Sequence, residues 1–263
     1  SIPTLRAKVD LYDDFIYLIL HFPSSAHDDG ISDQEVDFII GKNFIITARY
    51  GEVDALLAFS KAFEVESILE KGAMGSHAGF IFFAMLNKIY DSLLHKIEGL
   101  KDDAAHIEAE IFKGKEREMV IKISEVSREL LDFKRTTSLH DEVLESFEVA
   151  GQKFFGEGFR FHLRTMLGNY YKLENSIKNT MEFIAELRET NNALLNTKQN
   201  EIMKTFTILA FVTFPLSLAI DIVTIPSDSN PLTGHPQAFW IIIFGTLVSC
   251  IAMFAFFRYK KWL

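Results

Sequence analysis

One carboxylate, Asp221, closes a run that carries no charge from Thr205 to Ile220. A carboxylate held in so apolar a stretch costs roughly 2.5–3.5 kcal/mol at the middle of a bilayer and somewhat less near its edge, so it has to face water or a cation. At 100° per residue, Asn200, Met203, Thr207, Ala210, Phe214, Ser217 and Asp221 fall within a sector of about 100°. The chemistry on offer along that face is cation contact, with Asp221 as the candidate metal-contacting group. Thr207 and Ser217 leave two readings open, hydroxyls presented to that face or hydroxyls bonded back to helix carbonyls.

Other chemistries find little support. Gly75-Ser76-His77-Ala78-Gly79 has small residues but lacks the Lys-Ser/Thr of a phosphate-cradling loop, and it reads as a helix start capped by Ser76. His21, His27, His77, His95, His106, His140 and His162 are scattered without ligand spacing, which suits core or surface roles. With no nucleophile elbow or paired-histidine helix, the chain does not read as an enzyme. A single cysteine, Cys250, allows neither an intrachain disulfide nor a cysteine-built zinc site. Residues 1–200 hold 33 acidic against 23 basic side chains, a surface that repels phosphates and argues against a nucleic-acid partner.

The elements that position Asp221 are two apolar spans, residues 204–225 and 239–257, each of about the length a bilayer requires. Between them lies a short loop, 226–238, in which Pro226, Pro231, Gly234 and Pro236 forbid a continuous helix, and which carries Asp228 and His235 as groups that could meet ions. Lys198 precedes the first span and Lys204 opens it, while Arg258, Lys260 and Lys261 belong to the basic tail, 258–263. The positive-inside bias then places both termini in the cytoplasm, making this an integral membrane protein with lipid as a partner. Trp240 and Trp262 sit where amphipathic rings prefer to be, near the interfaces.

Upstream, residues 157–203 read as a stalk helix running on into the first span. Met166, Tyr170, Leu173, Ile177, Ile184, Leu187 and Leu194 recur at threes and fours, with Asn191 interrupting the seam. A rod from Glu157 to Asn200 is roughly 65 Å long and has to lean on copies of itself or on other helices. Residues 76–156 read as antiparallel helices broken near Lys113-Gly114-Lys115. The apolar run Ala78 to Leu86 is too short to span a membrane and is read as core. Residues 1–75 read as part of an α/β domain: strands at Phe15 to Phe22, Val36 to Ile40 and Phe44 to Thr47, then a helix carrying Val53, Leu56, Leu57, Phe63, Ile68 and Leu69. The fold class expected is an α+β membrane protein: an N-terminal α/β cytoplasmic domain, a helical stalk and two C-terminal transmembrane helices. The start at Ser1-Ile2-Pro3, without Met or an apolar signal, suggests a trimmed chain.

Asn200-Glu201-Ile202-Met203-Lys204, Phe214-Pro215-Leu216-Ser217 and the ending Tyr259-Lys260-Lys261-Trp262-Leu263 resemble the CorA family of magnesium and cobalt transport proteins. The likeness extends through residues 36–44 and 139–144 and covers most of the chain. It implies an ion channel or transporter assembled as a homopentamer, in a bacterial or archaeal plasma membrane. It further implies a divalent cation, magnesium or cobalt, as the transported ion, with no prosthetic group, and an opening part of the N-terminal domain that is missing. By the same resemblance, Asn200, Met203, Phe206, Thr207, Ala210, Phe214, Ser217 and Asp221 line the pore.

Two departures stand against the family pattern. Its Gly-Met-Asn signature aligns, ungapped from Pro215, on Thr224-Ile225-Pro226, none of which matches. The stalk segment that usually reads Phe-Arg-Asp-Val-Tyr-Asp-His stands here as Leu163-Arg164-Thr165-Met166-Leu167-Gly168-Asn169, without its two acids. A ring of Asp221 carboxylates is the expected substitute for the lost signature. The alternative is a non-transporting scaffold or sensor that keeps the architecture, with Phe206 and Phe214 closing a dewetted constriction.

Overall fold

The computed structural model describes residues 7–23, 33–49, 56, 59–61, 77–225 and 236–260. Four strands, β1 (Lys8–Leu11), β2 (Phe15–Pro23), β3 (Asp33–Gly41) and β4 (Ile45–Arg49), form an antiparallel sheet in the order β1-β2-β3-β4. Alternation sets its inner face. Ile16, Leu18 and Leu20 lie opposite Ile40, Phe38 and Val36 in register, and all six are fully buried. The turn between β3 and β4 closes with Gly41 N–H donating to the Phe44 carbonyl at 2.9 Å, and the Phe44 ring occupies the space a Cβ on Gly41 would need.

The α-helices bounded among the described residues are α1 (Gly79–Phe112), α2 (Glu116–Thr137), α3 (His140–Phe155), α4 (Arg160–Thr224) and α5 (Ala238–Tyr259). Phe82 of α1 links sheet to helices, its ring edge-on to Phe38 at 5.2 Å and to Phe147 of α3 at 5.1 Å. The run from Ala78 is core, as expected, with Ala78, Phe82, Met85 and Leu86 buried. The helix start differs from the sequence expectation: α1 begins at Gly79 with Ala78 in the cap position and no side-chain cap, while Ala78 N–H donates to the Lys42 carbonyl at 2.7 Å. Ser76 lies outside the described residues, as does most of the helix read over Val53 to Leu69; within it, Leu56 is helical and buried.

The break between α1 and α2 falls at Lys113-Gly114-Lys115, where Gly114 takes a positive φ of 92°. Lys113 and Lys115 N–H groups both donate to the Glu110 carbonyl, and their ammonium groups close on its carboxylate at 2.8 and 2.5 Å. Hydrogen bonds from the two lysines hold the Glu110 carboxyl down to about 2. The junction between α3 and α4 turns on Gly156, also at φ 92°, followed by a 3-10 turn over Glu157–Phe159. The long helix therefore starts at Arg160 rather than at Glu157.

The buried seam of α4 is Leu163, Met166, Tyr170, Leu173, Ile177, Thr180, Ile184, Leu187 and Asn191, a strict three-four alternation. Thr180 fills a slot the apolar pattern skipped, its hydroxyl satisfied by the Ser176 carbonyl at 2.8 Å. Leu194 is only half-buried, so the seam closes at Asn191. What the seam leans on includes the chain's own helices. Tyr170 packs on Tyr90 of α1, Asn169 donates to Asn87 of α1, Arg164 pairs with Glu148 of α3, and Asn191 donates to the Glu116 carbonyl of α2. Residues 1–191 and 192–263 form two compact units. The first holds the sheet and this helical packing; the second holds the end of α4 and all of α5.

Candidate functional site: the apolar helices of the second unit

Within the second unit, α4 and α5 each contain a stretch long and apolar enough to cross a membrane, with mean hydropathies of 2.1 and 2.4. They pack through Ile208 and Val212 of α4 and Phe257 of α5, with Leu216, Cys250 and Met253 partly buried around them. The spacing 208, 212, 216 is one helical stripe. At 100° per residue, the mean direction of that stripe lies roughly 180° from the mean direction of Met203, Thr207, Ala210, Phe214, Ser217 and Asp221. The polar face of α4 is thus the face turned away from α5.

Exposure follows the same division. Asn200, Met203, Phe206, Thr207, Phe214, Ser217 and Asp221 are exposed, Phe214 most of the aromatic pair at 75%, while Ala210 is half-buried. Thr207 donates its hydroxyl proton to the Met203 carbonyl at 2.8 Å. Back-bonding and facing outward are compatible here, since the donated proton leaves the oxygen lone pairs on the polar face. Pro215 lies inside α4 and has no N–H, so the Phe211 carbonyl cannot receive the usual helical bond from position 215.

At its C-terminus α4 ends with Thr224 donating to the Asp221 carbonyl at 3.1 Å. The last carbonyls of a helix lack intrahelical partners and carry its negative pole, so the end that holds the Asp221 carboxylate is doubly attractive to cations. Carboxylate, hydroxyl lone pairs and carbonyls are hard oxygen donors of the kind that magnesium and its hydration shell favour. Among the described residues no group of three or more His, Cys, Asp or Glu gathers to hold a metal ion. Thr224 and Ile225 are exposed at this end, and Pro226, Asp228 and His235 lie outside the described residues.

The sequence profile of the family described as CorA-like Mg2+ transporter protein matches residues 2–261. The chain belongs to the CorA family. It is 19% identical over 98% of its length to the cobalt/magnesium transport protein CorA of Thermotoga maritima, covering 73% of that protein. It is 22% identical over 97% of its length to the protein of the same description from Methanocaldococcus jannaschii, covering 80% of it. Its fold matches the complete structure of the CorA magnesium transporter from M. jannaschii with a TM-score of 0.84 at 20% identity, over 98% of this chain and 80% of that one. As a CorA-family protein the chain is a member of a family of metal-ion transporters, not of enzymes, and a membrane protein with two candidate transmembrane helices.

The structure also shows what occupies the CorA-family stalk segment here. Thr165 turns its hydroxyl onto the Phe161 carbonyl at 2.9 Å, and Asn169 spends its amide on Asn87 at 2.8 Å. Sequence reading did not identify Ile208, Val212 and Phe257 as the contact that orients α4. Their signal was present as an apolar i, i+4 step within the span, but every neighbour there is apolar too, so it carried no contrast.

Proposed function

We propose that the chain forms a homo-oligomeric pore for divalent cations of the magnesium or cobalt kind, with the polar face of α4 lining the passage and Asp221 ringing its outer end. The observation that carries this reading is the opposition of faces on α4: one stripe packs on α5, and the oxygen-bearing stripe points the other way. Each chain supplies a single carboxylate on that face, so a site of several ligands requires copies arranged about an axis. A pentamer, as the resemblance implies, brings five carboxylates together. Two unit charges about 6 Å apart repel by roughly 0.7 kcal/mol even at the dielectric of water, so an empty ring is relieved by binding a cation.

In this reading Thr224, Ile225 and Pro226 stand where the family signature would be, and Asp221, one turn inside, takes over its task. Thr207 and Ser217 offer oxygens deeper in the passage, Asn200 and Met203 lie at its inner end, and Phe206 and Phe214 form its narrow apolar part. Lys198 and Lys204 on one side and Arg258 and Lys260 on the other put both ends of the span pair in the cytoplasm. Asp228 and His235 then lie on the outside.

Flux of magnesium and cobalt into proteoliposomes holding the full chain tests this, with Asp221→Asn beside the parent. Losing the ring of charge lowers flux roughly tenfold or more in this account. Equal flux from both proteins would remove Asp221 from the mechanism.

A further inference from the structure

Outside the second unit, two histidines that the transport reading does not use share one cluster of phenyl rings. His77 stacks on Phe155 of α3 at 4.5 Å and 16°, lies over Phe80 of α1 at 4.6 Å, and meets Phe159 edge-on at 4.9 Å. His162 of α4 stacks on that same Phe159 at 5.4 Å and 12°, and meets Phe80 and Phe83 edge-on at 4.9 and 4.8 Å. Phe80 and Phe159 are themselves in edge contact at 5.1 Å. The cluster joins the start of α1, the end of α3 and the first turn of α4, the helix that continues to Thr224.

In both rings the Nδ1 atom is buried and has no hydrogen-bond partner among the described residues. A neutral imidazole tolerates this, because the orphaned atom is then an acceptor lacking one bond. Protonation turns it into a charged donor with no acceptor among the described residues, a far costlier state. The helix ends add to that cost. His77 immediately precedes α1, its Nδ1 2.8 Å from where a Cβ on Gly79 would stand, and His162 lies in the first turn of α4. Both imidazoles thus sit at the positive pole of a helix, where cations are disfavoured.

On the flanking elements, Lys42 of the β3–β4 turn lies over Phe154, Lys153 ends α3, Arg160 begins α4, and Glu157 is engaged by Gln152. Neither imidazole has an ion pair with a carboxylate among the described residues. Stacking of a cation on Phe155 or Phe159 offsets part of the loss, but a second imidazolium in the same cluster meets the first. Burial pushes the His77 imidazole below its ordinary value, with His162 adding to the shift.

We propose that His77 and His162 form an acid-sensitive latch: neutral, they lock the ends of α1, α3 and α4 into one aromatic cluster, and proton uptake by either ring loosens the start of α4. The physical basis is the change of one buried ring nitrogen from acceptor to unpartnered cationic donor at a three-helix junction. It stands apart from the transport reading, because it concerns packing within the first unit and holds whether or not the second unit conducts.

The test is amide hydrogen exchange of the full chain in detergent at pH 7.5 and 5.5, corrected for the intrinsic pH dependence of exchange, beside the double variant His77→Phe, His162→Phe. Protection of residues 79–83 and 160–163 should fall about tenfold in the parent at the lower pH and stay level in the variant. Unchanged protection in the parent, or an equal fall in both proteins, would overturn the latch. Should the variant fail to fold, imidazole titration of the histidine-labelled parent decides: a His77 midpoint below the ordinary histidine value supports it, and an ordinary His77 midpoint contradicts it.

Discussion

The Tyr90 hydroxyl lies 3.0 Å from His140 Nδ1, and both residues are fully buried. On its other side His140 Nε2 is 2.7 Å from the His21 carbonyl, so the ring donates there and accepts from the tyrosine. A neutral imidazole thereby ties α3 to α1 and to β2 without leaving either nitrogen unpaired. The edge of the Phe22 ring at 5.3 Å and the tilted Tyr170 ring at 6.0 Å complete its surroundings.

Burial, only partly offset by the bond to the His21 carbonyl, depresses this imidazole to about 4 from an ordinary 6.5. Above pH 6.5 the ring is neutral in both folded and unfolded chains, and its stabilising contacts are fully present. As pH falls from there toward 4 the unfolded chain takes the proton first, and the first unit loses roughly 3 kcal/mol. Thermal denaturation of the parent and of His140→Gln between pH 7.5 and 4 checks this. The parent should lose more stability across that window than the variant, whose amide can still donate to His21 and accept from Tyr90.

Tyr90→Phe removes the donor and leaves Nδ1 an unpaired buried acceptor, at an expected cost of about 1–2 kcal/mol near neutral pH. The midpoint of denaturation should fall by a few degrees with secondary structure intact, as circular dichroism would record.

Asn191 closes the α4 seam at 1% exposure, with its amide nitrogen on the Glu116 carbonyl at 3.1 Å and its amide oxygen unpartnered. Asn191→Asp puts acceptor against acceptor and a charge in the seam, and should destabilise the first unit by roughly 2–4 kcal/mol. Asn191→Leu discards the orphaned oxygen along with the bond and should stay within about 1 kcal/mol of the parent. Denaturant titration of both variants gives the comparison.

Phe214 is 75% exposed one turn from Ser217 on the polar face of α4. If the phenyl rings of symmetry mates keep the passage dry, Phe214→Ser should raise magnesium flux several-fold. Phe211→Ser, off that face, should leave it within about twofold. The same proteoliposome assay reads both.

Much of this architecture was legible in the sequence because its signals are strong. Two apolar spans separated by a proline-rich loop admit few other readings, and the strands read over Phe15 to Phe22 and Val36 to Ile40 emerged in register with each other. Strand β1 escaped notice, since Lys8–Leu11 is four residues long and alternates charge with only two apolar side chains. Thr180 was skipped in the seam because a hydroxyl breaks an apolar count even when the helix satisfies it. The His77 and His162 cluster could not be read at all: the two lie 85 positions apart, and the phenyl rings they share come from α1 and the turn before α4. For the candidate site, the polar stripe of α4 came from helical period alone, while its position opposite α5 depended on a tertiary contact that period does not encode.

A face of α4 that borders a water-filled passage at Ser217 and Asp221 leaves a thiol placed there open to aqueous reagents. In a Cys250→Ser background, Ser217→Cys and Val212→Cys are treated in proteoliposomes with a membrane-impermeant, charged methanethiosulfonate while magnesium flux is followed. Ser217→Cys should be labelled and its flux blocked, with Val212→Cys unlabelled against α5. Labelling and block at position 212 with none at 217 would contradict the account.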